Sequence, residues 1–261
     1  MPEWERSVLG RTSRPVCRIG LACSYGADGR CVAMAFERGV NYFYWGTFRR
    51  ASFGAGLRQL RTARDRILVT IQSYSRVAPL LGWSLERALR KLDMDYADVL
   101  LLGLWNKPPA PRILDAARRL RERGLVRYLA LSTHRRPLAP MLAAAGDVDI
   151  LHVRYNAIHR GAERDIFPLL PPRESAPGLV SFTATSWSQL LSPRGVPPGD
   201  RVPTAADCYR FVLTNPAVDI CLAGPKNAGE FQAAIDALDR GPMNTDELEW
   251  IKRVGTAKYG S

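Results

Sequence analysis

Apolar and polar positions follow two alternating periods along the chain. Eight short, largely apolar runs stand out, at 16–21, 41–44, 67–72, 99–102, 128–131, 150–153, 179–183 and 220–222. Their brevity and near-continuous apolar character predict strands buried on both faces. Amphipathic runs with helical spacing lie between them, at 29–38, 84–92, 113–122, 137–144, 163–170, 204–214 and 228–238. In the second of these, Ser84 is placed to cap, and Leu85, Ala88, Leu89 and Leu92 form one apolar stripe. In the third, Ile113, Ala116, Ala117 and Leu120 share a face, and Gly124 ends the run. A further helical run at 246–254 closes the chain.

Alternating strand and helix patterns predict parallel strands. Eight strand runs, seven of them followed by a helical run, in 261 residues predict an α/β (β/α)8 TIM barrel as one domain over 1–261. The first strand runs into Ala22-Cys23-Ser24-Tyr25-Gly26 and not into a glycine-rich dinucleotide turn, which argues against an open doubly wound sheet. The proline-bearing stretches 107–112 and 192–203 read as loops of that domain. Barrel chemistry gathers at the C-terminal strand ends. That selects Cys23, 44–50, 72–74, 103–105, 132–134, 154–156, 183–187 and 223–226.

The net charge of +12 comes from 37 basic residues against 25 acidic ones. The surplus is confined to one half: residues 1–136 hold 25 basic and 11 acidic side chains, residues 137–261 hold 12 and 14. No run of five or six like charges occurs, so a solvated arginine-rich surface is expected and nucleic-acid binding is not. Five cysteines without a C-x-x-C pair, together with three histidines, predict reduced thiols and no zinc site. No apolar stretch reaches a membrane-spanning length, and the start MPEWERSV has no apolar signal core. The expectation is a cytoplasmic protein without a membrane partner. The sequence does not fix its oligomeric state.

Several segments resemble the aldo-keto reductase family, in order and from end to end. The segments 8–12 and 18–21 resemble that family's opening hairpin and first strand, Arg38-Gly39-Val40-Asn41-Tyr42-Phe43 its entry to the second strand, and Arg64-Asp65-Arg66-Ile67 its entry to the third. The run 84–98 (SLERALRKLDMDYAD) is the most specific match. Gly124-Leu125-Val126-Arg127-Tyr128 and Tyr155-Asn156 resemble the fifth and sixth strands. The resemblance implies a barrel with an N-terminal β-hairpin and an extra C-terminal helix. It also implies NADP(H) as cofactor and hydride transfer to a carbonyl, with a Tyr as proton donor, a Lys–Asp pair and a His.

All four of those positions are substituted here. Tyr44 stands at the Asp position, Arg49 at the Tyr, Gln72 at the Lys and Gly103 at the His. Tyr44 is the best remaining candidate acid. Gln72 and Tyr44 form a neutral pair able to hydrogen-bond, Gly103 vacates the space of an imidazole, and Trp45 and Trp105 offer bulk nearby. Arg49 and Arg50 place positive charge at the expected barrel mouth, where an anionic small molecule would bind. For the cofactor, the resemblance implicates Ser132 and Thr133 at the nicotinamide amide, with His152 where the family has a Gln. Phe182 stands at the stacking aromatic and is followed by Thr183. Gly224, Lys226 and Glu230 belong to the phosphate turn and adenine segment. Two readings follow: an NADP(H)-binding oxidoreductase with a non-standard site, or a non-catalytic ligand-binding or regulatory barrel.

Overall fold

The computed structural model describes residues 3–46 and 48–259. Met1, Pro2, Thr47, Gly260 and Ser261 lie outside the described residues, so the expectation drawn from the first residues and one position of the 44–50 segment are not addressed.

The chain opens with a two-stranded antiparallel hairpin, β1 (Arg6–Val8) and β2 (Pro15–Cys17). Eight parallel strands then close a barrel. In chain order they are β3 (Ile19–Ala22), β4 (Tyr42–Trp45), β5 (Leu68–Ser73), β6 (Ala97–Leu102), β7 (Val126–Thr133), β8 (Ile150–Arg154), β9 (Gly178–Phe182) and β10 (Ile220–Ala223). Neighbours in sequence are neighbours in the sheet, and β10 pairs back onto β3. The helices between them are α1 (Gly29–Glu37), α2 (Ala51–Gln59), α3 (Ala78–Leu92), α4 (Pro111–Glu122), α5 (Leu138–Ala145), α6 (Ala162–Asp165), α7 (Ala205–Thr214) and α8 (Ala228–Asp239). A terminal helix, α9 (Thr245–Ala257), follows. The expected barrel, hairpin and extra C-terminal helix are all present.

Two cores follow from the period of two along each strand. Side chains facing the helices join the larger cluster, which includes Phe43, Trp45, Leu100 and Leu151. Side chains facing the axis form a second cluster, in which Tyr42, Tyr44, Leu68, Val99, Leu101, Ala130 and Ile150 stack. Leu9 and Val16 of the hairpin join this inner cluster, so the hairpin plugs the bottom of the barrel.

Carboxylates at the strand starts hold the register. Asp98 Oδ2 accepts Val69 N–H (2.8 Å) from β5, Asp149 Oδ2 accepts Leu129 N–H (2.8 Å) and Asp219 Oδ2 accepts Leu179 N–H (2.9 Å). Asp98, in the most family-like motif, is fully buried between Arg64 (2.6 Å) and Arg127 (3.2 Å). Both guanidinium groups also lie over the Tyr96 ring, at 4.1 and 4.2 Å.

The expected elements need five corrections. The apolar run 16–21 is two strands, because the chain bends at Arg18, and its first part belongs to the hairpin. Arg18 turns inward there to donate to the Leu213 (2.6 Å) and Val218 (3.0 Å) carbonyls. Ser84 is not a cap: α3 starts two turns earlier, at Ala78, because buried Leu81 extends the apolar stripe. The stretch 107–112 is loop only to Ala110, since Pro111 is the first residue of α4. The run 163–170 is one short helix and a separate 3-10 turn, broken at Ile166 ahead of Pro168. Finally, α2 is absent from the pattern reading, because Gly54 and Gly56 weaken its helical signal. A Cβ on Gly56 would lie 2.7 Å from Gly29 Cα, so the close approach of α1 and α2 requires it.

Candidate active site

A cavity of about 520 Å³ opens at the C-terminal strand ends. Its floor comes from alternate positions of successive strands: Tyr44 on β4, Gln72 on β5, Leu101 on β6, Ser132 on β7, His152 on β8 and Leu222 on β10. Phe182, Thr183, Gly224, Lys226 and Glu230 also line it. Nine of the twelve residues singled out from sequence therefore meet in one cavity. Arg49, Gly103 and Thr133 do not line it.

The Tyr44 hydroxyl donates a short hydrogen bond to Gln72 Oε1. Two glycines make room for this pair. A Cβ on Gly46 would collide with the phenol end of Tyr44, and a Cβ on Gly103 would overlap the Gln72 amide and lie 2.8 Å from the Tyr74 ring. The space beside Gly103 is thus filled by Gln72 and Tyr74. It is not filled by Trp45 and Trp105, which pack in the outer layer.

Arg49 is turned away from the cavity. Its guanidinium donates to the Gln72 carbonyl (2.7 Å), the Ser84 carbonyl (3.2 Å) and Ser84 Oγ (3.0 Å). Burial pushes its pKa down, and the nearby Arg87 adds to this. Arg50 Nε donates to the Cys23 carbonyl (3.0 Å). Both cations brace backbone at the strand ends, and neither lines the cavity. The reason is local: oriented carbonyls at a strand end and in α3 compete for N–H donors that sequence alone leaves uncommitted.

Beneath Tyr44 lies a second phenol, Tyr42, whose hydroxyl is 2.8 Å from His152 Nε2. Position 42 shares the inward face of position 44, a signal available from the strand period. His152 is only 2% exposed, and burial pushes its pKa down to about 3. The ring is therefore neutral. Burial also pushes the Tyr42 phenol up, so this pair is uncharged across the neutral range. His152 is engaged with the barrel floor on one edge, in addition to lining the cavity where an amide contact was expected.

Ser132 Oγ accepts Leu104 N–H (2.8 Å), which leaves its own proton to donate. Thr133 is turned aside: its hydroxyl accepts Arg135 N–H (2.9 Å) and donates to the Arg135 carbonyl (3.3 Å). Phe182 is half-buried, and the His134 ring meets it edge-on at 5.6 Å. Beyond it the wall is strained. Thr183 (φ 63), Ser186 (φ 49), Trp187 (φ 53) and Ser188 (φ 68) all have left-handed backbone. A β-branched residue there costs of order 1–3 kcal/mol. Buried Asn156 holds Thr183 in place through Nδ2 to the Thr183 carbonyl (2.7 Å), while its Oδ1 accepts Ile158 N–H and His159 N–H.

At the opposite rim, the turn before α8 carries Lys226, whose side chain is 67% exposed. The Lys226 backbone N–H donates to Glu230 Oε2 (2.8 Å), and Asn227 Oδ1 caps α8 by accepting Glu230 N–H (3.0 Å). Lys226 Nζ lies 3.9 Å from Glu230 Oε1.

All five cysteines are buried free thiols. Burial raises the Cys23 pKa, so its thiol is a filler at the end of β3 and a poor nucleophile. No helix among the described residues is long and apolar enough to cross a membrane.

No family model matches the sequence. Among solved structures, the chain is similar to the aldo-keto reductase AKR11C1 from Bacillus halodurans. Its holo form superposes with a TM-score of 0.80 at 20% identity, over 97% of this chain and 96% of that one. The apo form gives 0.79 at 18% identity, with the same coverage. The chain thus has the aldo-keto reductase fold, a closed parallel (β/α)8 barrel with an N-terminal hairpin.

Proposed function

We propose that this chain is a single-domain barrel over 1–261 that keeps a nicotinamide-dinucleotide site and has a non-standard active site, so that ordinary aldehydes and ketones are poor substrates. The observation that carries this reading is the Tyr44–Gln72 pair set between Gly46 and Gly103. A proton donor for carbonyl reduction must reach the substrate oxygen and release its proton there. The Tyr44 proton is already committed to an amide oxygen. An amide has no charge with which to favour a phenolate, and Gly103 supplies no side chain to orient a carbonyl. The fixed cation Arg49 stays protonated and donates to backbone instead.

The cavity residues fit NADP(H). Phe182 offers a half-exposed ring face, Ser132 an uncommitted hydroxyl proton, and Lys226 an exposed cation at the turn before α8. When bound, that cofactor supplies hydride. The protein's part is to orient it and to shield the cavity with the Thr183–Ser188 wall. A non-catalytic ligand-binding barrel is the second reading, favoured by the replacement of all four acid–base positions. A cytoplasmic location accords with five reduced thiols. The mixed-charge surface accords with the absence of a nucleic-acid partner, and weak retention on heparin at physiological salt is expected.

The test is titration with NADPH and NADH, followed by fluorescence, with Phe182→Ala and Lys226→Ala as comparisons. Binding weakened in both variants supports the cofactor site; no binding to the wild type rejects it and leaves the second reading. Rapid NADPH oxidation with a simple aromatic aldehyde would refute the non-standard site.

A further inference from the structure

The half-buried arginines of this protein find acceptors. Arg38 meets Glu5 and Asp239, Arg64 meets Asp98, Arg210 meets Glu247, and Arg18 and Arg49 reach carbonyls. Arg154 is different. It ends β8 on the inward face, half-buried, and has no hydrogen bond or ion pair among the described residues. Its surroundings are cationic or neutral. A small cleft gathers Arg154 with His134, Arg136 and His159, walled by Val153 and Ile166. Arg136 itself is held by Asp165 (2.5 Å), which Arg164 also engages (2.7 Å).

A partly desolvated cation without a partner is costly, and an anion supplied from outside relieves that cost. Burial, then Arg136, pushes the Arg154 pKa down, while Tyr259 opposes this. Burial and Arg154 push down both His134 and His159. In all three the first cause is burial, and a neighbouring cation adds to it. His159 Nδ1 lies 3.3 Å from Asn156 Oδ1, so its Nε2 side can take up a proton when an anion arrives.

The cleft adjoins the main cavity at His134. His134 lines both, Arg154 is the register partner of Phe182, and the His134 ring abuts Phe182. We infer that Arg154, flanked by His134 and His159 in the cleft beside the cavity, is an anion-recognition point and takes the carboxylate of a ligand whose aromatic body lies against Phe182. A planar carboxylate matches the guanidinium fork. This inference requires neither the cofactor nor reductase chemistry.

Calorimetric titration of the nucleotide-free protein with 1-naphthoate and with its neutral isostere 1-naphthamide tests it. The wild type is expected to bind the carboxylate at least tenfold more tightly than the amide. Arg154→Gln loses that preference, and Arg154→Lys restores part of it. The NMR titration midpoints of His134 and His159 rise when naphthoate binds. The unfolding midpoint of Arg154→Gln stays equal to or above that of the wild type, since no protein partner is lost. Equal binding of acid and amide, no binding of the acid, or naphthoate affinity unchanged in Arg154→Gln overturns the proposal. A lowered unfolding midpoint in Arg154→Gln, which reveals a structural partner, overturns it too.

Discussion

Gly103 and Gln72 interlock: the amide of Gln72 occupies the volume that any side chain at position 103 would need. The two residues are therefore one packing unit, and a side chain at position 103 requires a smaller one at position 72. Gly103→Ala is expected to cost about 1–3 kcal/mol by overpacking, read as a lowered denaturation midpoint. Adding Gln72→Ala should recover part of the loss. Strict additivity of the two changes would show that the positions do not share this space.

Tyr44 stands in the same relation to Gly46. Tyr44→Phe removes the hydrogen bond from Tyr44 to Gln72 Oε1, at a cost of about 1–2 kcal/mol. If Tyr44 is only a structural donor, any turnover found for this protein survives in Tyr44→Phe. A rate drop of a hundredfold or more, on the scale of a lost general acid, would make Tyr44 the proton source instead.

The barrel was legible because its signal is repetitive: eight apolar runs, each marking a strand, outweigh errors at single boundaries. The missed helix α2 shows the limit, since Gly56 serves a close approach to α1 and Gly54 lies against Trp45 and Leu92, contacts that no local period reveals. The cavity floor was legible as a set of positions, because strand period and chain order fix which side chains share the barrel mouth. Side-chain direction was not. Arg49 and Arg50 chose carbonyl acceptors that exist only once β5, α3 and the end of β3 are in place. Arg154 stood among the strand-end residues but carried no mark of its own, because lacking a partner is a property of the folded surroundings.

Asp98 tests whether the most family-like motif is structural. Its carboxylate is enclosed by Arg64, Arg127 and Val69 N–H, far from the cavity. Asp98→Ala leaves the Val69 amide without its acceptor and takes the carboxylate from Arg64, which keeps the Ile67 and Tyr96 carbonyls, so a loss of about 1–3 kcal/mol is expected, measured by denaturant unfolding. Ligand affinity of the folded fraction should not change. A small stability loss with a large affinity loss would reverse this assignment.

His152 sets a pH dependence. Its folded pKa is about 3, against roughly 6.5 unfolded. Between these values the unfolded chain binds the extra proton, so stability falls as pH falls, and the contribution is complete above about pH 6.5. The expected slope from this one group is about 1.4 kcal/mol per pH unit below about pH 6. Unfolding free energies at pH 7 and pH 5 measure it. His152→Gln should remove about 2 kcal/mol of the difference between those two values. An unchanged pH profile in that variant would mean that His152 is solvated enough to titrate normally.

Glu230 bears on the choice between phosphorylated and non-phosphorylated dinucleotides. Its carboxylate takes the Lys226 backbone N–H and sits beside the Lys226 ammonium at the start of α8, where a phosphate would bind. An internal anion at that turn competes with an incoming one for the same donors and repels it. Both side chains are largely exposed, so the competition is worth about 1 kcal/mol or less. Glu230→Gln should therefore tighten NADPH binding by up to about fivefold and change NADH binding less, and titration of both nucleotides against wild type and variant separates the two effects. Equal changes for the two nucleotides would place the adenosine phosphate away from this turn, while weaker NADPH binding would make Glu230 a positioning group for Lys226 and not a competitor.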